Sequence, residues 1–279
     1  MKKNLGSNLN NVTRGYVSTP GGQVHYRSAG PANAPVITFF HQTASSSRMF
    51  ELIMSELSPS FRCLAFDTPG FGQSWQPAEV PSVAWLGNRL IEAIDALGID
   101  CFVVCGHHTG GCIGLEIALA IPQRVLGLSI IGPVTPSFEE REKFSRVFLQ
   151  PFVPESSGEY LQTAWEYLRS IGAGDTVDLH TAELIDHLIA WRSTPLAFGA
   201  VWRQDASAAL AKVSIPLQLM CSRDDVLWPM YARACKLRPD AATAIVAGGD
   251  FQPDRDPINV ARALTEFVNT LPVRFRTVG

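Results

Sequence analysis

Residues Gly106-His107-His108-Thr109-Gly110-Gly111 have the G-x-Nuc-x-G spacing of a strand-to-helix elbow, with an imidazole where such a turn usually presents a nucleophile. The apolar run 101–105 leads in as a strand, and 112–121 leads out as a helix. Glycines on either side allow the sharp turn and close helix–strand packing, which lifts the central side chain over the sheet edge. That side chain is His108. An imidazole held there by a carboxylate would have its tautomer fixed and its basicity raised, the requirements of a general base. Such a base could activate a water for hydrolysis or take a proton from carbon next to a carbonyl. The backbone N–H of Thr109, one past the elbow residue, is an expected donor to a developing oxyanion.

The rest of the chain reads as the scaffold for that turn. Residues 16–19 and 23–28 flank Pro20-Gly21-Gly22 as an opening β-hairpin. Apolar, β-rich runs at 36–41, 62–67, 101–106 and 125–132 alternate with helical patterns at 48–57, 82–97 and 112–121. This alternation predicts an α/β protein with a mostly parallel sheet flanked by helices. From about 134 to 211 there is no strand signal, only helical segments at 138–149, 159–171, 176–191 and 196–204 carrying Trp165, Tyr167, Trp191 and Trp202. Sheet pattern resumes at 217–221 and 242–247, and 258–271 is a closing helix. The predicted organisation is a polar tail over 1–12, a core domain over 13–133 and 212–279, and a helical cap over 134–211.

The chain has 23 basic and 26 acidic residues, a formal charge of −3, and no long run of either sign. Nothing in that balance points to a nucleic-acid or anionic-membrane partner, and none is expected. The first dozen residues lack the apolar segment of a signal peptide, and no apolar stretch is long enough to span a bilayer. A cytoplasmic monomer or homodimer acting on a small molecule is the expectation. The six cysteines show no zinc spacing and read as buried, reduced thiols, with Cys112 and Cys221 nearest the expected active rim.

Five landmarks resemble the α/β-hydrolase fold superfamily, in its order and across nearly the whole chain. His41-Gln42-Thr43 is similar to its HG oxyanion-hole loop, and Asp67-Thr68-Pro69-Gly70-Phe71-Gly72-Gln73-Ser74 to its D-x-P-G-x-G-x-S turn. The elbow at 106–111 follows, then Asp225 four residues before Pro229, where the superfamily's acid stands. Gly248-Gly249-Asp250-Phe251 matches the loop that normally reads G-G-H-F and carries the catalytic histidine. The resemblance implies an α/β-hydrolase fold with a helical cap inserted between two sheet strands. It also implies an oxyanion hole from the backbone N–H groups of Thr109 and Gln42, and no cofactor or metal.

The departures from the pattern are chemical. His108 replaces the nucleophile and Asp250 replaces the histidine, so a Ser-His-Asp relay cannot form at the usual places. Expected catalytic residues are His108, Asp250 and Asp225, with either carboxylate a partner for the imidazole. Expected substrate-binding residues are His41, Trp228, Trp191 and Trp202. His41 is also read as a brace for the oxyanion loop, and His107 as a packing or hydrogen-bonding residue. His25, His180 and His187 are read as ordinary surface or helix residues, and Ser45, Ser46 and Ser47 as caps for the helix near Arg48. An apolar ester, lactone or related carbonyl compound is the expected substrate. Lyase, decarboxylase or isomerase chemistry on the same scaffold stays open, as does a ligand-binding protein without activity.

Overall fold

The computed structural model describes residues 11–147 and 153–272. Eight strands form one sheet: β1 (Thr13–Thr19), β2 (Gly22–Ala29), β3 (Val36–Phe40), β4 (Arg62–Phe66), β5 (Phe102–His107), β6 (Val125–Ile131), β7 (Leu217–Ser222) and β8 (Ala242–Val246). Their order is β1-β2-β4-β3-β5-β6-β7-β8. The hairpin β1–β2 and its junction to β4 are antiparallel, and every other pairing is parallel. Strand β5 is buried at every residue, because helices cover both faces of the sheet. That explains why its sequence is a continuous apolar run and not an alternating one.

The core helices are α1 (Glu51–Leu57), α2 (Val83–Ala96) and α3 (Thr109–Ala120). Helix α2 starts where Ser82 accepts a hydrogen bond from Trp85 N. The predicted helix at 48–57 opens instead as a 3₁₀ turn, Ser47–Phe50, capped by Ser46, and becomes α-helical at Glu51. Between β6 and β7 the chain forms α4 (Phe138–Val147), α5 (Glu159–Ser170), α6 (Val177–Ile189), α7 (Ser193–Arg203) and α8 (Ala206–Lys212). The predicted end of α4 at 148–149 lies outside the described residues, as do residues 1–10 of the polar tail. Helix α8 was not anticipated; it starts on Asp205, which accepts from Ala208 N. The chain closes with α9 (Trp228–Leu237), α10 (Gln252–Arg255) and α11 (Pro257–Thr270). Among the described residues no helix is long and apolar enough to cross a membrane.

Two glycines fit the sheet to the site. Gly110, in the first turn of α3, lies so close to β3 that a Cβ there would overlap the Phe40 carbonyl. Gly132 follows β6 with φ +61, and a Cβ on it would strike the His108 ring and sit 3.1 Å from Asp225 Oδ2. We expect Gly110→Ala to cost about 3 kcal/mol by forcing α3 off the sheet, lowering Tm by about 6 °C or more in a domain of this size. Thermal denaturation checks this, and an unchanged Tm would mean the helix has room to move.

Candidate active site

The site lies beyond the carboxyl ends of the parallel strands, where loops after β3, β5, β6, β7 and β8 converge. His108 is the turn between β5 and α3, with φ 48° and ψ −110°, and it is the one non-glycine residue with positive φ among those described. Such backbone costs about 1–3 kcal/mol and persists only where its surroundings over-determine it. Here the His108 N–H donates to Ile131 O at 2.9 Å, and the His108 carbonyl accepts from Gly111 N and Cys112 N at 2.8 and 3.2 Å.

The imidazole meets Asp225. His108 Nε2 and Asp225 Oδ2 are 2.9 Å apart, so the ring carries its proton on Nε2 and donates to the carboxylate. Nδ1 then keeps its lone pair, makes no hydrogen bond among the described residues, and belongs to a ring that lines the cavity. Burial alone would lower the His108 pKa, but the charge and hydrogen bond of Asp225, with Asp250 adding to them, raise it above the ordinary value. Burial would likewise raise Asp225. The His108 charge and hydrogen bond, the Leu227 N–H and the Gln252 amide hold that carboxyl below its usual range.

Asp250 lies in the same cavity without a direct bond to the imidazole. Its Oδ1 accepts the Val226 N–H at 2.9 Å, which ties the loop after β8 to the loop after β7. Burial raises its pKa, and the neighbouring Asp225 charge adds to that against the pull of His108. Of the two carboxylates expected from the sequence, the structure therefore pairs Asp225 with His108. Gln42 and Thr109 both line the cavity, and no group among the described residues claims either backbone N–H. The Thr43 hydroxyl donates to the Thr109 hydroxyl at 3.0 Å, closing one side of that pair.

The cavity is about 920 Å³, with Val134, Tyr167, Ile171, Phe198, Val201 and Leu227 among its apolar and aromatic walls. Trp191 and Trp202 line it. His41 and Trp228 do not, and their substrate-binding assignment is corrected. His41 is buried: Nδ1–H donates to Gln42 O at 2.7 Å and Nε2 accepts Thr68 N–H at 3.0 Å, so the ring ties the loop after β3 to the loop after β4. Trp228 stacks on Tyr231 and under the Arg223 guanidinium, away from the cavity wall. His187, read from sequence as ordinary, is buried and lines the cavity, its Nδ1–H donating to Glu183 O. His25 and His180 are buried as well: His25 pairs with Asp67 at 2.8 Å, and His180 stacks on Trp165.

Ser46 caps its 3₁₀ turn as predicted, while Ser45 and Ser46 also donate to Glu183 and Asp186, and Ser47 accepts from Arg27. All six thiols are free. Cys101 is exposed, contrary to the expectation of buried thiols, because β5 begins one residue later. Burial pushes Cys112 up to about 12 and Cys221 higher still, and neither lines the cavity.

The sequence reading missed Gln252. This fully buried first residue of α10 joins His107 Nε2 (2.8 Å to Oε1) to Asp225 Oδ2 (2.5 Å from Nε2). A polar amide directly after the apolar Phe251 was the only signal available. His107, His108 and Asp225 each bring one ligand atom within 4.8 Å of the others, the set that could approach a metal ion. In the present arrangement both histidine Nε2 atoms are proton donors, so a metal would have to displace two protons and break the Gln252 bridge.

Comparison with known proteins agrees with this architecture. A family model described as alpha/beta hydrolase fold matches residues 35–152. Over 251 residues the chain is 26% identical to the "Putative carbamate hydrolase RutD" of Pseudomonas savastanoi pv. phaseolicola, covering 85% of this chain and 95% of that protein. It is 33% identical to a haloalkane dehalogenase of Mesorhizobium japonicum over 120 residues, 43% of this chain and 38% of that one. The enol-lactonase of Burkholderia xenovorans superimposes with a TM-score of 0.75 at 17% identity, over 91% of this chain and 100% of that one. With the sheet order, the elbow and the matched segment in agreement, the chain has the α/β-hydrolase fold.

Proposed function

We propose that the protein is a hydrolase of a small or medium, largely apolar carbonyl compound (an ester, lactone or carbamate), with His108 as general base in place of a serine relay. The observation that carries this reading is the His108 Nε2–Asp225 Oδ2 hydrogen bond of 2.9 Å, which leaves Nδ1 unbonded beside a cavity and two unclaimed backbone N–H groups. In the proposed reaction Nδ1 takes a proton from water as the water oxygen attacks the carbonyl carbon. The N–H groups of Thr109 and Gln42 stabilise the oxyanion. As the tetrahedral intermediate collapses, the proton on Nδ1 passes to the leaving group. Asp225 orients the ring and balances the imidazolium, and Asp250 adds a second negative charge near it. We propose that the helices between β6 and β7 act as a cap that supplies the apolar walls. Relatives named as a carbamate hydrolase and a lactonase support carbonyl substrates of this class.

The test is turnover of a panel of esters, lactones, carbamates, thioesters and β-keto acids by the wild type, Asp225→Asn and Asp250→Asn, with product analysis. Asp225→Asn should lower kcat by about 10³-fold or more, because a neutral amide no longer sets the tautomer or stabilises the imidazolium. Asp250→Asn, which does not touch the ring, should cost about tenfold or less. The reverse ranking would give the orienting role to Asp250. Carbon–carbon cleavage products would place the chemistry outside hydrolysis.

A further inference from the structure

We infer that Gln252 is a positioning residue for the His108–Asp225 pair, its amide locking the Asp225 carboxylate toward His108 and holding His107 in a neutral tautomer next to it. The catalytic consequence rests on the reading of His108 as the base, while the positioning itself rests on geometry. Gln252 is fully buried and uses both ends of its amide. Its orientation is dictated by charge: only the NH₂ end can face the Asp225 carboxylate, so Oε1 must face His107. His107 must then carry its proton on Nε2 in order to donate at 2.8 Å. Its Nδ1 is left as a buried atom with no partner. A second proton there would make an imidazolium N–H without an acceptor, in a ring whose centroid is 4.2 Å from that of His108. Of the two adjacent imidazoles, only His108 is built to take a proton.

The other end of the amide acts on the carboxylate. Asp225 Oδ2 receives both Gln252 Nε2 and His108 Nε2, while Oδ1 accepts Leu227 N at 2.6 Å. With three donors the carboxylate has a fixed plane, and its negative charge is shared between the imidazole and a neutral amide. The titratable groups facing this assembly are Asp250 and Cys221 near Asp225, and His41 near His107. Removing the amide should concentrate the Asp225 charge on the imidazole and free His107 to change tautomer.

The experiment is long-range ¹H–¹⁵N imidazole spectroscopy across a pH titration of the substrate-free protein, for the wild type, Gln252→Met and Gln252→Glu. In the wild type His107 should stay neutral and Nε2-protonated throughout. In Gln252→Met the His108 pKa should rise by about half a unit or more, and His107 should lose its single tautomer. Gln252→Glu keeps the shape but faces Asp225 with a carboxyl in place of an N–H donor, so the two acids must share one proton, and once that proton is lost the added negative charge should raise the His108 and His107 pKa values above those of the wild type. The acid limb of kcat should move with the His108 pKa, and kcat should fall about tenfold while KM stays within about twofold. An unmoved His108 pKa and an unchanged His107 tautomer in both variants would overturn the proposal. If Gln252→Met does not fold, the Gln252→Glu spectra decide alone. Full turnover by a His108→Ala variant would remove the catalytic reading, and the spectra would still report on the positioning.

Discussion

His108→Ala is expected to lower kcat/KM by at least about a thousandfold while leaving a folded protein, because it removes the proposed base, whose ring lines the cavity with Thr109 and Gln42. The residual rate would come from the oxyanion donors and the cavity walls. Stability should change by no more than about 3 kcal/mol, since one charged hydrogen bond is lost. Asp225 keeps the Leu227 N–H and the Gln252 amide. Two pH signatures accompany the loss. The base must be unprotonated, and the His108 pKa is raised, so wild-type kcat/KM should fall as pH drops through a value above about 6.5. The same raised pKa contributes stability that is fully present below the unfolded value and lost as pH rises through the folded one. The alanine variant should therefore lose that part of the slope of Tm against pH. An organophosphate probe should label no serine in the site. Undiminished turnover by the variant, or a labelled serine, would show that the chemistry belongs elsewhere.

The elbow was legible because it is local: an apolar strand, a glycine-flanked turn and a helix are consecutive, and the positive φ of His108 follows from that spacing. The parallel sheet was legible for the same reason, through runs of apolar residues separated by helical periods. The choice between Asp225 and Asp250 was not. It depends on Gly248 and Gly249, with φ of 111° and 57°, turning the last loop so that the Val226 N–H captures Asp250. Gln252 was hidden because its partners are 145 and 27 residues away in sequence. His41 and Trp228 were misplaced because nearness to a motif does not tell which way a side chain faces. His41 spends both nitrogens on loop backbone, and Trp228 stacks on its own helix. Trp191 and Trp202 line the cavity, whereas Trp165 on the same inserted helices stacks on His180, a difference that helical spacing alone does not encode.

Arg48→Met is expected to be strongly destabilising while leaving His108 and Asp225 in place, and its effect should grow with pH. Arg48 is the cation at the centre of three carboxyls: Nη2 reaches Glu183 Oε1 at 2.5 Å, Nε reaches Asp186 Oδ2 at 3.2 Å and Nη1 reaches Asp254 Oδ1 at 3.2 Å. Glu183 and Asp186 belong to α6 and Asp254 to α10, so one guanidinium joins the inserted helices, the 3₁₀ turn Ser47–Phe50 and the segment that carries Gln252. Glu183 is fully buried, and both Glu183 Oε2 and Asp254 Oδ2 have no hydrogen-bond partner among the described residues. Burial raises Glu183 above its ordinary value, and burial together with repulsion from neighbouring carboxylates raises Asp186 to about 6 and Asp254 to about 7, in each case only partly offset by Arg48. Carboxyls raised on folding add stability that is complete below their unfolded pKa of about 4 and is lost as pH rises through their folded values. This cluster should therefore make the wild type less stable as pH climbs through about 6 to 7. Taking the guanidinium away leaves buried charges without a counterion, a loss of about 3–5 kcal/mol at about pH 8. Near pH 5 the carboxyls can bind protons instead, so the loss should shrink to well under half of that. Thermal denaturation of wild type and variant at the two pH values measures the difference. An equal loss at both would mean that Arg48 acts through the packing of its aliphatic stem and not through its charge.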